Sequence, residues 1–163
     1  MRVRQLCFFF LTLSCNCYGL IWPTPNPAFA NGKSIEDFVQ ATGSGNPSSG
    51  LYGLVRNKGK KFHEGLDLCG IKFDTKKVVL DSIFAVLPGK VVHINEDSSK
   101  SRYGIYVVLL HKEGGFNFYS LYAHLDSIDH KLRLNHSIRE GARLGRMGNS
   151  SGGYMIPKSL SLI

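Results

Sequence analysis

The feature that most limits what this chain can fold into is an abundance of glycine without any helical repeat of apolar residues. The sequence has 18 glycines among 163 residues, and no long stretch places apolar side chains at the 3.6-residue period of a helix. Short β-branched and aromatic runs alternate with turn-forming residues instead. This pattern predicts a mainly β domain with an antiparallel core, and a chain of this length has room for one such domain.

The predicted strands centre on two long runs joined by a turn at residues 113–115. Residues 105–111 are apolar and β-branched almost continuously, which is typical of a strand covered on both faces. Residues 116–125 alternate aromatic and small side chains and are expected to pair with that strand. Shorter strands are predicted on either side of the Pro88-Gly89 turn and in the glycine-rich region that follows the long pair: 83–87, 90–95 and one or two within 137–147.

The first 19 residues read as a secretory signal. Arg2 and Arg4 precede an apolar run at 6–13, and a small-residue region ends near Gly19. The run is too short for a membrane-spanning helix, which needs about 20 residues, so no membrane span is expected. Cleavage after residues 28–30 fits the small-x-small rule but lies far from the apolar run and ranks second. The predicted location is secreted or periplasmic.

Residues 20–49 are predicted to form an N-terminal arm or linker. They open with three alternating prolines, and Ser34 followed by Asp37 resembles the start of a helix. Phe38 and Val39 are predicted to form a docking edge. A segment dense in turn formers then leads into the core, which is predicted to span 50–163.

The cysteines exclude a disulfide framework in the exported chain. Cys7, Cys15 and Cys17 lie in the predicted signal, which leaves Cys69 without a partner. Lipidation of Cys15 or Cys17 remains a minor alternative. Cys69 itself fits the role of a small buried hydrophobe better than that of a metal ligand.

The charge balance does not indicate nucleic-acid binding. The formal net charge is +8, and loss of Arg2 and Arg4 (8 − 2) leaves +6. The basic residues form neither a dense basic helix nor an aromatic-basic motif, and an exported chain meets anionic envelope polymers first. Oligomeric state is not indicated. The scattered basic residues are Lys58, Lys60, Lys61, Lys76, Lys77, Lys131 and Arg133.

The segment 63–67 carries the strongest chemical signal. His63 and Asp67 are both good zinc ligands, and a catalytic zinc takes three protein ligands plus water. Residues four apart on an extended strand are separated by roughly 13 Å, so both can bind one metal only if the chain curls between them. Gly65 at the midpoint permits that turn. Taken alone, the pattern also fits two unrelated surface polar residues.

Several further motifs follow this segment in a familiar order, and together they resemble the lysostaphin-type zinc metallo-endopeptidases, which cut peptide cross-links in bacterial peptidoglycan. The resemblance runs from about residue 50 to residue 157. It implies that His63 and Asp67 bind zinc and that His124 lies beside the metal and assists catalysis. The motifs are AVLPGKVV at 85–92, YGIYVV at 103–108, YAHL at 122–125 and GARLGRMGNSSGG at 141–153.

The sequence departs from that family after residue 157. The family closes its core with a strand reading His-x-His-Phe-Glu, whose second histidine is the third zinc ligand and whose first is a catalytic partner. Residues 157–163 contain neither histidine. We therefore expect weak or absent zinc binding, an inactive chain and a missing closing strand that leaves an exposed edge. A frameshift or premature stop explains this departure more simply than evolved loss of function.

Two other functions stay open. The chain fits a non-catalytic relative that binds cell wall or activates another wall hydrolase, which the missing ligands favour and the retained His63, Asp67 and His124 disfavour. A small wall-binding β module without metal is weaker. The resemblance gives Glu64 no catalytic role, and the other histidines are expected to be packed, at strand edges or in solvent: His93, His111, His130 and His136.

Overall fold

The computed structural model describes residues 19–42, 45–152 and 159–162. Across those ranges, ten strands form two sheets in which every pairing is antiparallel. The helical segments are short 3₁₀ turns at Ile35–Asp37, Pro47–Gly50 and Ser98–Lys100. The predicted mainly β fold is confirmed. The predicted signal and its cysteines fall outside the described residues, except for Gly19, and no described helix has the length and apolarity to cross a membrane.

The smaller sheet is a hairpin of strands β1 (Gly53–Arg56) and β2 (Lys61–His63). Asn57, Lys58 and Gly59 turn the chain between them with φ values of 50°, 55° and 80°. Such left-handed conformations suit asparagine and glycine. Strand β2 therefore runs from this turn to His63, its last residue, and β3 of the main sheet begins three residues later.

The larger sheet has eight strands, and several of its pairs join strands that are far apart in the sequence. The strands lie in the order β3-β10-β7-β6-β5-β8, while β9 joins both β4 and β7. Their bounds are β3 Leu66–Cys69, β4 Ser82–Phe84, β5 Gly89–Asn95, β6 Ile105–Glu113, β7 Phe116–Ile128, β8 Ser137–Ile138, β9 Arg143–Met147 and β10 Ser159–Leu162.

Strands β6 and β7 form the long hairpin predicted from the sequence. Gly114 and Gly115 turn the chain with φ values of 55° and 84°, which is the geometry of a tight hairpin turn. The prediction that both faces of β6 are covered is wrong. Val107, Leu109 and His111 are buried, whereas the residues between them are half-buried, as expected for an antiparallel sheet with one core face.

Strand β4 ends earlier than the sequence predicts, because the backbone beyond it bonds elsewhere. The Ala85 amide donates to the carbonyl of Ala142, and the Val86 amide donates to the hydroxyl of Tyr122 at 2.9 Å. These bonds satisfy backbone groups that a longer strand would pair with a neighbour. The predicted strand at 83–87 is therefore observed only as Ser82–Phe84.

The N-terminal segment packs onto the sheet. Trp22 stacks on Phe29 with ring centroids 4.3 Å apart and meets Phe38 edge-on at 5.5 Å. Phe38 and Val39 are buried in the hydrophobic core, and Val39 bridges Leu68 on the outer side of β3. The predicted docking edge at these two residues is confirmed, whereas the boundary of the arm at residue 49 stays a prediction.

The expectation that the closing strand is missing requires correction. Residues Ser159–Leu162 form β10, which pairs with β3 on one side and β7 on the other. Strand pairing uses backbone N–H and C=O groups, so a segment without histidine satisfies it equally well. With β10 on one side and Val39 on the other, β3 is not the exposed edge that was predicted.

Strand β7 carries a buried tyrosine whose hydroxyl is hydrogen-bonded, and a substitution there tests how much this contact stabilises the core. Tyr122 is fully buried, and its hydroxyl accepts hydrogen bonds from the Val86 amide at 2.9 Å and the Ser120 hydroxyl at 3.2 Å. Tyr122→Phe removes both bonds and strands the Val86 amide. We expect a loss of about 1–3 kcal/mol in unfolding free energy, measured by urea denaturation.

The control for this prediction is Tyr119→Phe on the same strand, where the side chain is 63% exposed. Its unfolding free energy should stay within about 0.5 kcal/mol of wild type. Equal losses for the two variants would contradict the buried hydrogen-bond role of Tyr122.

Candidate metal centre

His63 and Asp67 meet at the junction of the two sheets. His63 ends β2 in the hairpin and Asp67 lies in β3 of the main sheet, so the chain curls between them as the spacing requires. Both residues are buried, at 7% and 2% exposure. The Nε2 atom of His63 lies 3.3 Å from Oδ1 of Asp67. The two side chains are therefore not unrelated surface polar residues.

The backbone fixes which nitrogen of His63 faces the carboxylate. Nδ1 lies 2.8 Å from the carbonyl oxygen of Leu51, and because a carbonyl only accepts, Nδ1 donates. Nε2 then faces Asp67. When Nε2 carries no proton, it and Oδ1 are two acceptors in contact, an arrangement that a cation between them stabilises. Donation from the second ring nitrogen to a carbonyl is typical of metal-binding histidines.

The other carboxylate oxygen of Asp67 is held by two side chains from outside the predicted motif. Oδ2 accepts from the Arg56 guanidinium at 2.5 Å and from the Thr42 hydroxyl at 2.9 Å. Arg56 also donates to the Thr42 hydroxyl at 3.0 Å and to the Ser49 carbonyl at 3.2 Å. Asp67 is thus oriented by the N-terminal segment and by β1 together.

Sequence reasoning missed Thr42, Ser49 and Arg56. The first two lie in the turn-rich segment that reads only as a connection, and Arg56 lies among scattered basic residues. Nothing in their local pattern distinguishes them, because the contact with Asp67 depends on the fold. The one feature visible in the sequence is the separation of 11 residues between Arg56 and Asp67, which is compatible with a hairpin.

The His63–Asp67 pair fits two corners of a tetrahedral zinc site. Two ligands bound at about 2.0–2.1 Å with a tetrahedral angle lie about 3.3–3.4 Å apart, and the observed separation is 3.3 Å. Within the described part of the chain, no group of three or more His, Cys, Asp or Glu side chains is arranged to hold a metal. The pair therefore fits zinc at two positions, and among the described residues no third side chain of these types completes the group.

Strand β10 runs directly beside this pair. In the backbone register, Ser161 lies opposite Asp67 on β3 and opposite Ala123 on β7. Residues opposite each other in an antiparallel pair share a face of the sheet. The register position that continues the row from Asp67 is thus taken by a serine.

His124 follows Ala123 and lies beside the same centre. Its φ of 60° is left-handed, and its amide donates to the carbonyl of Tyr103 at 2.8 Å. Nδ1 lies 2.8 Å from the Ser150 carbonyl, to which it donates. Burial lowers the pKa of His124, and Asp67 is among the charged groups that act on it. His124 is therefore within electrostatic range of Asp67, although the three residues do not form a metal-binding group among the described residues.

Among the described residues, the remaining candidates do not join His63 and Asp67 in a metal-binding group. His111 is buried, with Nδ1 2.8 Å from the Pro88 carbonyl and Nε2 2.7 Å from the Ser120 hydroxyl. Exposed His93 contacts the hydroxyl of Tyr106, while His130 and His136 are exposed. Cys69 is half-buried without a disulfide, and burial raises its pKa. Exposed Glu64 accepts a hydrogen bond from the Tyr103 hydroxyl at 2.7 Å.

Comparison with known proteins assigns this arrangement to a family. The sequence model of Peptidase family M23 matches residues 61–159, which is more than half of the chain and includes His63, Asp67 and His124. The chain belongs to peptidase family M23. The resemblance to lysostaphin-type peptidases that the motifs indicate is thereby confirmed.

Solved structures share the M23 fold at low sequence identity. A mutant catalytic domain of the prophage-encoded M23 protein EnpA from Enterococcus faecalis is 21% identical with a TM-score of 0.51, over 77% of this chain and 78% of that one. A zinc-containing peptidase from Vibrio cholerae is 20% identical with a TM-score of 0.50, over 77% and 32%. A Pseudomonas aeruginosa protein described as peptidase M23 is 21% identical with a TM-score of 0.49, over 90% and 46%.

The M23 chain thus spans less than half the length of the Vibrio and Pseudomonas proteins. No protein of curated function matches its sequence significantly. The Enterococcus and Vibrio structures support the fold of this chain, and what the whole relatives bind or cleave is a property of those proteins.

The ion pair between Arg56 and Asp67 is expected to stabilise the M23 domain. Arg56→Ala leaves a carboxylate with 3% side-chain exposure without its cation. Breaking a buried pair in this way costs about 3–5 kcal/mol. Because the Arg56 side chain keeps 29% exposure, we expect a smaller loss of about 2–3 kcal/mol in urea denaturation.

Arg146→Ala is the matched control for Arg56→Ala. Arg146 pairs with Asp126, and their side chains are 37% and 35% exposed. Exposed pairs contribute about 0–1 kcal/mol, so this variant should stay close to wild type. A loss for Arg56→Ala no larger than that of Arg146→Ala would contradict a structural role for the buried pair.

Burial of His124 makes the stability of the M23 domain depend on pH. Its pKa in the folded chain lies below the ordinary value of 6.5, so the unfolded chain takes up the proton first as pH falls. This contribution to stability is complete above about pH 6.5 and decreases below it until the folded pKa is passed. Urea denaturation from about pH 8 to 5 should show a shallower decline for His124→Gln than for wild type.

An NMR titration of the His124 ring provides the direct check. A midpoint at or above 6.5, the ordinary value from which burial displaces it, would contradict the burial effect. Equal pH slopes for wild type and His124→Gln would do the same.

Proposed function

We propose that this M23 domain is a zinc metallo-endopeptidase scaffold for peptide cross-links of peptidoglycan, with His63 and Asp67 as zinc ligands and His124 as the acid–base residue. The observation that carries the proposal is the 3.3 Å contact between Nε2 and Oδ1 of the first two residues, inside the region that matches the family. One structural relative is a zinc-containing peptidase, which is consistent with that metal.

Zinc, when bound in such a site, polarises the scissile carbonyl and lowers the pKa of a bound water. His124 is suited to handle the proton. Burial keeps its imidazole neutral at neutral pH, and donation from Nδ1 to the Ser150 carbonyl leaves Nε2 as the proton acceptor. Arg56 and Thr42 keep the Asp67 carboxylate turned so that Oδ1 faces His63.

We further propose that the sequence as it stands binds zinc weakly and turns over little or no substrate. Among the described residues, no third His, Cys, Asp or Glu side chain joins His63 and Asp67 in a group that could hold a metal, and the adjacent register position on β10 is Ser161. This same observation favours the alternative, a non-catalytic relative that binds cell wall or activates another wall hydrolase.

The proposed location is outside the cytoplasmic membrane, where peptidoglycan lies. It rests on Arg2, Arg4 and the apolar run at 6–13. The proposed partner is a peptide of the wall.

A histidine at position 161, opposite Asp67 in the backbone register, tests the zinc proposal. We expect Ser161→His to raise zinc affinity by more than the roughly 10–100-fold that an outer-shell contact is worth, because it supplies a third ligand. Zinc affinity is measured by competition with a chromogenic chelator. Ser159→His is the matched control, since it adds the same side chain opposite Cys69, two residues along the strand.

The roles of the three retained residues then separate in the Ser161→His background. His63→Ala and Asp67→Ala should each abolish zinc binding. His124→Ala should keep zinc and lose about 10²–10⁴-fold in any turnover of peptidoglycan peptides. Loss of zinc in the His124 variant equal to that in the His63 variant would refute this division. No gain from Ser161→His over Ser159→His would refute the zinc site.

A further inference from the structure

The β1–β2 hairpin presents exposed apolar side chains that the site does not use. Tyr52, Leu54 and Phe62 are 67%, 62% and 48% exposed. The rings of Tyr52 and Phe62 meet edge-on at 5.1 Å, and Leu54 is exposed on the same hairpin. His63, the next residue along β2, is buried instead. The hairpin therefore has one face toward the metal centre and one toward solvent.

The turn of the same hairpin is strongly basic. Lys58, Lys60 and Lys61 are all exposed, and none of the three forms an ion pair with any described residue. The sequence contains no Asp or Glu from residue 38 to residue 63. The three charges are thus not neutralised within the hairpin.

A second hairpin at the other end of β3 provides a contrast. Its residues Ile71, Phe73 and Leu80 are also exposed, at 42%, 51% and 44%. However, Asp74 lies in its turn and accepts hydrogen bonds from the backbone amides of Lys76 and Val78. That hairpin also carries three exposed lysines, but its turn contains the carboxylate of Asp74, which partly offsets their charge.

We propose that the β1–β2 hairpin is a docking surface for an anionic phospholipid bilayer. Aromatic and leucine side chains insert at the level of the headgroups, and lysines beside them attract anionic lipids. A soluble anionic polymer would need the lysines but not the three exposed apolar side chains, so the combination favours a bilayer. Docking would hold the M23 domain on the membrane surface without a membrane span.

The test is co-sedimentation of the full chain with vesicles in the presence of a chelator. One set of vesicles is phosphatidylcholine alone, and the other contains roughly one third phosphatidylglycerol, an anionic lipid. We expect stronger binding to the anionic vesicles, lost in about 1 M salt, where the Debye length is about 3 Å. The apolar run at 6–13 is common to all variants, and the neutral vesicles measure its contribution.

Lysine variants test the charge of the hairpin. Lys58→Asn, Lys60→Gln and Lys61→Gln combined should reduce binding to anionic vesicles by about 10²-fold, at about fivefold for each lysine. Asparagine is used at position 58 because the residue is left-handed. The matched control combines Lys77→Asn, Lys72→Gln and Lys76→Gln on the second hairpin, where position 77 is also left-handed, and should bind like wild type.

Apolar variants test insertion in the same way. Tyr52→Ser, Leu54→Ser and Phe62→Ser combined should weaken binding at least tenfold, whereas Ile71→Ser, Phe73→Ser and Leu80→Ser combined should not. Thermal melts confirm that each variant is folded. Equal effects of the two hairpins, or equal binding to both kinds of vesicle, would overturn the proposal.

Binding to an anionic polymer is the competing outcome. Purified peptidoglycan sacculi and soluble polyphosphate replace the vesicles in the same assay. Hairpin-dependent binding to either, without binding to anionic vesicles, would overturn the bilayer proposal. Because no step requires zinc or turnover, the outcome is independent of whether the domain is a peptidase.

Discussion

The buried carboxylate of Asp67 is the point on which the rest of this structure depends. Taking a charge out of water is unfavourable unless it is paired and hydrogen-bonded, and Arg56 and Thr42 both bind Oδ2. Those partners come from β1 and from the N-terminal segment, so one carboxylate joins the hairpin, the arm and the main sheet. The backbone of Asp67 adds a further link, because its carbonyl accepts from the Gln40 amide at 2.9 Å.

The two oxygens of the Asp67 carboxylate have different partners. The negative charge of Asp67 is balanced on one side by Arg56, while Oδ1 on the other side faces Nε2 of His63. Arg56, the cation that stabilises the fold, thus binds Oδ2, whereas the position that suits a zinc ion lies at Oδ1. A change at Arg56 acts on stability first and on ligand orientation second.

The features that could be predicted from the sequence are those set by residues close together in the chain. The β6–β7 hairpin and its glycine turn were readable because alternation and turn residues are local signals. The premature end of β4 and the docking of Thr42 and Arg56 onto Asp67 depend on partners far along the chain, such as Ala142 and Tyr122 for the residues after β4. Motif order singled out His63, Asp67 and His124 as candidates, and the contact between His63 and Asp67 is visible only in the fold.

At strand β10, the requirements of the fold differ from those of the site. Strand β10 pairs with β3 and β7 through backbone groups, which any residue able to adopt an extended conformation supplies. The same strand has Ser161 at the register position beside Asp67 and Ala123, and backbone pairing there places no requirement on the residue type. His124, the residue after Ala123 along β7, is held in its left-handed conformation by the hydrogen bond from its amide to the Tyr103 carbonyl and by its ring contact with the Ser150 carbonyl. Because neither contact involves β10, the position of His124 is set independently of the pairing that closes the sheet.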